Sequence, residues 1–195
     1  MKRILVIIDN GHGEDTAGKQ SPDGKLLEWQ WSREIAAMIQ KELSREGINS
    51  VLLTMERNDV SLSERAERAN KYCKGSEALL VSIHVNAANS NDWSDACGWT
   101  GWVARVASDK SKKLAKLLYK EAEKHNLQGN RYVPEEKYWE ADYYILRKTS
   151  CPAVLTENMF MTNDEDVRFL MSDIGKRTIV DVHVQAIKNY IKWLK

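Results

Sequence analysis

Apolar positions along this chain fall into two patterns, short unbroken runs and longer stretches in which they recur every three or four residues. The first run, Ile4-Leu5-Val6-Ile7-Ile8, is rich in β-branched residues and closes on Asp9-Asn10-Gly11. That predicts a strand buried on both faces and ending in a turn. Ser21-Pro22-Asp23-Gly24 is a turn signal, after which Leu27, Trp31, Ile35, Met38 and Ile39 keep helical spacing until Gly47. A helix over about 26–46 follows. Residues 50–54 predict a second strand, and Ser61 with Glu64 three positions on is a capping box opening a helix through about Tyr72.

The alternation continues with a strand over 79–85 and another over 99–106. Leu114, Leu117, Leu118 and Ala122 mark a further helix. Short strands are predicted at 143–146 and 153–155. Thr162 with Glu165 opens a short acidic-capped helix, and 174–194 is a terminal amphipathic one carrying Ile179, Val182, Ala186, Ile187 and Tyr190 inward. Strands alternating with helices argue for an α/β fold. We expect a single-domain three-layer sandwich, with a mostly parallel mixed sheet of about six strands between helices. No internal repeat or low-complexity linker divides the 195 residues, a length that suits one full core.

Charge and composition narrow the function classes. Lys and Arg number 29 against 28 for Asp and Glu, so the protein lacks the positive field that draws nucleic acid or anionic lipid. No apolar run is long enough to span a bilayer, and Ile4–Ile8 is too short for a signal-peptide core. Neither nucleic acid nor membrane is expected as a partner, and synthesis is expected in the cytoplasm. Cys73, Cys97 and Cys151 are odd in number and widely spaced, which points to reduced structural thiols.

In open α/β sheets, functional groups collect beyond the carboxyl ends of the strands. His12 lies there, between Gly11 and Gly13, where glycines let the backbone turn and approach a ligand. Taken alone it fits an exposed loop histidine as well as a metal ligand. His84 ends an apolar strand, and a satisfied core histidine is the competing reading. Glu28 opens a helix, where the macrodipole favours a carboxylate anyway. Its neighbours Leu26, Leu27, Trp29 and Trp31 make a costly setting for an unpaired charge and a sensible one for a zinc ligand. Glu157 ends the strand Pro152-Ala153-Val154-Leu155-Thr156, where burial would raise its pKa toward that of a general base. Two histidines and a carboxylate suffice for catalytic zinc, with a second carboxylate to take a proton from water. His183 reads as packed and His125 as a helix-end contact. Glu64, Asp164, Glu165 and Asp166 read as capping residues. The motifs of thermolysin-like peptidases, nucleotide hydrolases and serine esterases are missing from the sequence.

Taken in order, several segments resemble one family. They are Ile8-Asp9-Asn10-Gly11-His12-Gly13, Glu28, Leu53-Thr54, Asp59-Val60-Ser61-Leu62 with Arg65, and Ala69-Asn70. Ser82-Ile83-His84-Val85-Asn86-Ala87, Leu146-Arg147, and Pro152 to Glu157 before Phe160 and Asn163 complete the set. The chain resembles the zinc-dependent N-acetylmuramoyl-L-alanine amidases of bacterial cell-wall remodelling and phage endolysins, which share a phosphorylase/hydrolase-like fold. Departures are Asn10 where the family usually has proline, Met55 where it has arginine, and Asn158-Met159 where a glycine before the Phe is common.

The resemblance implies that residues 1–195 form a single catalytic amidase domain. It assigns Zn2+ to His12, Glu28 and His84, and the role of general base to Glu157. The implied reaction is hydrolysis of the amide joining N-acetylmuramic acid to L-alanine in peptidoglycan. Asn86 and Arg147 are expected to position substrate, and Trp29, Trp93, Trp99 and Trp139 are stacking candidates. Only eleven residues separate Asn86 from Gly98, too few for the inhibitory helical insertion of regulated relatives, so an open site is expected. A monomer acting on the cell wall after release completes the reading. The competing readings are a non-catalytic peptidoglycan-binding domain and a zinc hydrolase of another cell-wall peptide amide.

Overall fold

The computed structural model describes residues 4–75, 77–88 and 92–195. Twelve elements follow one another: β1 (Leu5–Asn10), α1 (Glu28–Arg45), β2 (Ser50–Leu52), α2 (Leu62–Cys73), β3 (Ala78–Asn86) and β4 (Thr100–Ala104), then α3 (Asp109–Lys124), β5 (Trp139–Ala141), α4 (Tyr144–Lys148), β6 (Ala153–Phe160), α5 (Asp164–Met171) and α6 (Asp173–Trp193). The strands form one six-stranded sheet in the order β2-β1-β3-β6-β4-β5. β2, β1, β3 and β6 run parallel, while β4 lies antiparallel to β6 and carries β5 parallel on its outer side. This is the expected three-layer α/β sandwich.

The unbroken apolar runs sit in the middle of the sheet because both faces there are covered. Val6, Ile8, Leu79, Val81, Ile83 and Val154 face a core built with α1, α3, α5 and α6. Their neighbours Ile7, Leu80, Ala153 and Leu155 face a smaller core against Ala66 and Ala69 of α2 and Ile145 and Leu146 of α4. The period of two along each strand thus assigns every central residue to one layer. Ile35, Ile39 and Leu43 of α1, and Ile179, Val182, Ala186, Ile187 and Tyr190 of α6, are buried at helical spacing against the larger core.

Three local expectations differ from the structure. Residues 143–146 are not a strand: Tyr144–Lys148 is helical and the strand lies just before it at Trp139–Ala141. Ile145 and Leu146 are consecutive and both buried in the same layer, which a helix allows and a strand, with its alternating faces, does not. The short helix after β6 is capped by Asn163, whose side chain accepts from the Asp166 N–H, and not by Thr162. Ser61 does cap α2 by accepting from the Glu64 N–H, but the Glu64 carboxylate turns to Arg68 at 2.6 Å and does not close the box.

Candidate functional site

Parallel β1, β3 and β6 end at the same edge of the sheet, and four of the sequence-singled residues meet there. His84 and Glu157 are direct partners across the β3–β6 pairing. His12 follows β1, and Glu28 is the first residue of α1. Glu28, with its side chain 1% exposed, reaches between the histidines. Its Oε1 lies 3.0 Å from His84 Nδ1 and accepts from the Val85 N–H at 3.0 Å. Its Oε2 lies 3.4 Å from His12 Nε2 and has no hydrogen-bond donor among the described residues.

The local backbone explains the approach. A Cβ on Gly11 would fall 2.4 Å from the His84 ring, and one on Gly13 would fall 1.9 Å from the Asp59 amide nitrogen. Only glycine lets the chain pass so close at both places. Between them His12 adopts φ of 61°, a conformation that side chains resist. Two guanidinium groups hold its carbonyl, Arg33 Nη1 at 2.9 Å and Arg65 Nη2 at 3.3 Å. Arg65 is itself buried, donating to Asp9 Oδ1 at 2.7 Å, the Asn10 carbonyl at 2.6 Å and Asp59 Oδ1 at 2.8 Å. Ser82 Oγ donates to the other oxygen of Asp9 at 2.6 Å, so the carboxylate under the site is satisfied and not free to ligate.

Electrostatics favour a cation here. Burial pushes His12 down to about 4, against the opposing pull of Glu28, which leaves a neutral imidazole with a lone pair to donate. Burial disfavours charge on Glu28 and on His84, but their mutual hydrogen bond together with the opposite charges around them outweighs it, holding Glu28 below the ordinary carboxylate range and His84 above that of a free imidazole. One ligand atom from each of His12, Glu28 and His84 lies within 4.8 Å of the others. A buried carboxylate oxygen without a donor, flanked by two imidazoles, fits a divalent metal of the zinc type. Glu157 beside them is raised to about 7 by burial, partly offset by His84 and reinforced by Glu28.

These groups line a cavity of about 510 Å³ together with Asp9, Thr16, Lys19, Asp59, Asn86, Tyr143 and Tyr144. Asn86, expected to position substrate, is in its wall. Arg147 pairs with Asp142 at 3.0 Å, lines a separate cavity of about 430 Å³ and lies with its guanidinium 5.5 Å from the Tyr144 ring centroid at the edge of this one. The tryptophans singled out for stacking are also outside the wall. Trp99 is fully buried with its indole N–H on Asn158 Oδ1 at 2.9 Å, Trp139 packs against Trp102, and Trp29 lies beneath Arg33 and Arg57. The aromatic residues of the wall, Tyr143 and Tyr144, fall where the sequence pattern suggested a strand. Lys19 and Thr16 come from an irregular connection with no periodicity to flag them.

The remaining histidines are structural, as expected. His183 is buried between the Ile179 carbonyl at 2.8 Å and Thr156 Oγ1 at 3.0 Å, and His125 contacts Asp181 at 3.2 Å. Asp166 is buried and accepts from the Gly98 and Phe160 amides. In the connection after Asn86, Ala88 and Ser94 are tied to Thr162, and 89–91 lie outside the described residues.

Known proteins share this architecture. The chain is 26% identical over 191 residues to a probable cell wall amidase, LytH, of Staphylococcus epidermidis, covering 97% of this chain and 59% of that protein. It is 26% identical over 194 residues to the endolysin of Bacillus phage SPP1, covering 98% and 67%. It therefore spans roughly three-fifths to two-thirds of the length of these relatives. The crystal structure of an N-acetylmuramoyl-L-alanine amidase from Clostridium difficile 630 superposes with a TM-score of 0.86 at 25% identity, over 98% of both chains. The catalytic domain of CwlV, an amidase of Bacillus (Paenibacillus) polymyxa, agrees in fold at 24% identity with a TM-score of 0.82, over 98% of this chain and 99% of that one. The family profile described as N-acetylmuramoyl-L-alanine amidase runs across residues 6–189, from β1 to the last turns of α6, and on that coverage the chain belongs to the N-acetylmuramoyl-L-alanine amidase family.

Proposed function

We propose that this chain hydrolyses the amide between N-acetylmuramic acid and L-alanine in peptidoglycan, with zinc held by His12, Glu28 and His84 and with Glu157 as general base. The observation that carries the reading is the convergence of three ligand atoms within 4.8 Å beside a carboxyl group whose pKa is raised to about 7. Zinc in such a shell supplies Lewis acidity toward the scissile carbonyl and toward water. Glu157 takes the proton of the attacking water, for which a pKa near 7 is well matched, and returns it to the leaving nitrogen of L-alanine. Its Oε2 is buried and has no donor among the described residues, so that oxygen is available as an acceptor. Arg65 and Arg33 fix the His12 backbone, and the Val85 amide fixes Glu28, so the shell is held before substrate arrives. Asn86 lines the cavity and is placed to orient the peptide. Residues 1–195 act as one catalytic domain, monomeric, on the cell wall. Among the described residues no helix is long and apolar enough to cross a membrane.

Product analysis tests the reading. Digestion of purified peptidoglycan should expose new amino-terminal L-alanine and release intact stem peptides, and a chelator should abolish release until zinc is restored. Release of a terminal amino acid instead would place the chain among peptidases of the stem. Binding to the wall without cleavage would make it a recognition domain.

A further inference from the structure

We propose that Lys19 sets the substrate specificity of this site by binding the free carboxylate of the stem-peptide residue that follows L-alanine. The inference rests on the amidase reading and goes beyond it, because it concerns which peptide is cut. The connection between β1 and α1 folds back over the edge of the sheet, and the Glu28 N–H donates to the Lys19 carbonyl at 2.9 Å. The next residue, Gln20, bridges antiparallel to Leu27. Lys19 is therefore anchored one hydrogen bond from a metal-ligand candidate and does not sit on a free loop tip.

Its side chain lines the same cavity as His12, Glu28, His84 and Glu157. The other cation of the wall, Arg65, is consumed by Asp9, Asp59 and three backbone carbonyls. Asp9 and Asp59 are consumed in turn by Arg65. Lys19 has no ion-pair or hydrogen-bonded side-chain partner among the described residues. Lys19 is half-buried, and a cation held at a reaction site without an anion is short of a ligand.

The proposed substrate carries such an anion. The stem peptide continues from L-alanine into a glutamyl residue joined through its side-chain carboxyl, whose α-carboxyl group is either free or amidated. An ammonium is a point charge with three donors, suited to a single carboxylate, and it gains far less from a neutral amide. Lys19 would therefore favour the free acid.

The test compares two synthetic N-acetylmuramoyl peptides that differ only in that carboxyl group, free or amidated, on the zinc-loaded full chain and on Lys19→Met and Lys19→Glu. The wild type should prefer the free acid by about tenfold in kcat/KM, the size expected of one charged hydrogen bond. The ratio should fall to near one in K19M and below one in K19E. Any influence of Lys19 on Glu157 acts on both substrates alike and cancels in the ratio. Calorimetric binding of the two released peptides should follow the same order without depending on turnover. Equal ratios in wild type and K19M overturn the inference while leaving the amidase reading intact. A wild-type chain that binds zinc and cleaves neither peptide overturns both.

Discussion

Met159 stands two residues beyond Glu157 with φ of 65°, a region in which an L side chain crowds the backbone at a cost of about 1–2 kcal/mol. The conformation accompanies an irregularity in the sheet: His84 pairs with Glu157, but Asn86 pairs with Phe160, so β6 carries one residue more than β3 there. Asn158 and Met159 consequently both turn toward the larger core, where Asn158 is fully buried and Met159 is 9% exposed. Replacing Met159 by alanine or by glycine forfeits the same buried thioether chain, about 2–4 kcal/mol in either case. Comparing the two replacements isolates the backbone. In an ordinary strand alanine is better than glycine by roughly 0.5–1 kcal/mol. At this φ glycine escapes the Cβ clash, and Met159→Gly should be more stable than Met159→Ala by about 1 kcal/mol. Urea unfolding of the metal-free proteins reads the difference, and in melting temperature it amounts to roughly 2–4 °C for a chain of this size. An alanine variant as stable as the glycine variant, or more so, would refute the strain argument.

Other outcomes follow from the same structure. His183 is buried and its pKa is pushed from 6.5 down to about 4 by burial, so the unfolded chain binds the extra proton first. Stability should be complete above about pH 6.5 and fall by roughly 3 kcal/mol as the pH drops through 4, a slope that His183→Gln should flatten in urea titrations. Asn158→Ala strands the Trp99 indole N–H and the His84 carbonyl, which should cost about 2–6 kcal/mol at roughly 1–3 for each orphaned group and weaken zinc binding measured by competition with a chelating dye. Burial, with Cys73 beside it, pushes the Cys151 thiol above the usual cysteine range. Alkylation of Cys151 at neutral pH, followed by mass spectrometry, should therefore lag far behind that of a free cysteine.

The fold was legible wherever burial is complete on both sides. The runs at Ile4–Ile8 and Leu79–Val85 became β1 and β3 because no other element can bury so many adjacent apolar residues between two helical layers. The edge was harder to read: Tyr144, Ile145 and Leu146 carry strand propensity, yet packing against α2 makes them helical and passes the edge strand to Trp139–Ala141. At the site, His12, Glu28, His84 and Glu157 were visible because each interrupts an apolar element at one of its ends. Lys19 and Thr16 were not, since their position depends on how a connection without periodicity folds over the sheet edge. The tryptophans were singled out by residue type, and Arg147 by its place in the segments that carry the resemblance; neither signal reveals that Arg147 pairs with Asp142 and lines another cavity.

The central claim is that His12, Glu28 and His84 hold the metal while Glu157 moves the proton. Zinc stoichiometry and hydrolysis of an N-acetylmuramoyl-L-alanyl peptide, measured side by side for the wild type and Glu157→Gln, test it most directly. About one zinc per chain is expected in both proteins, with a loss of at least about 10²-fold in kcat in the variant alone, on the order of what a positioned general base contributes. A variant that keeps its zinc and its rate would contradict the role of Glu157, and a wild type that hydrolyses the amide without binding metal would contradict the site itself.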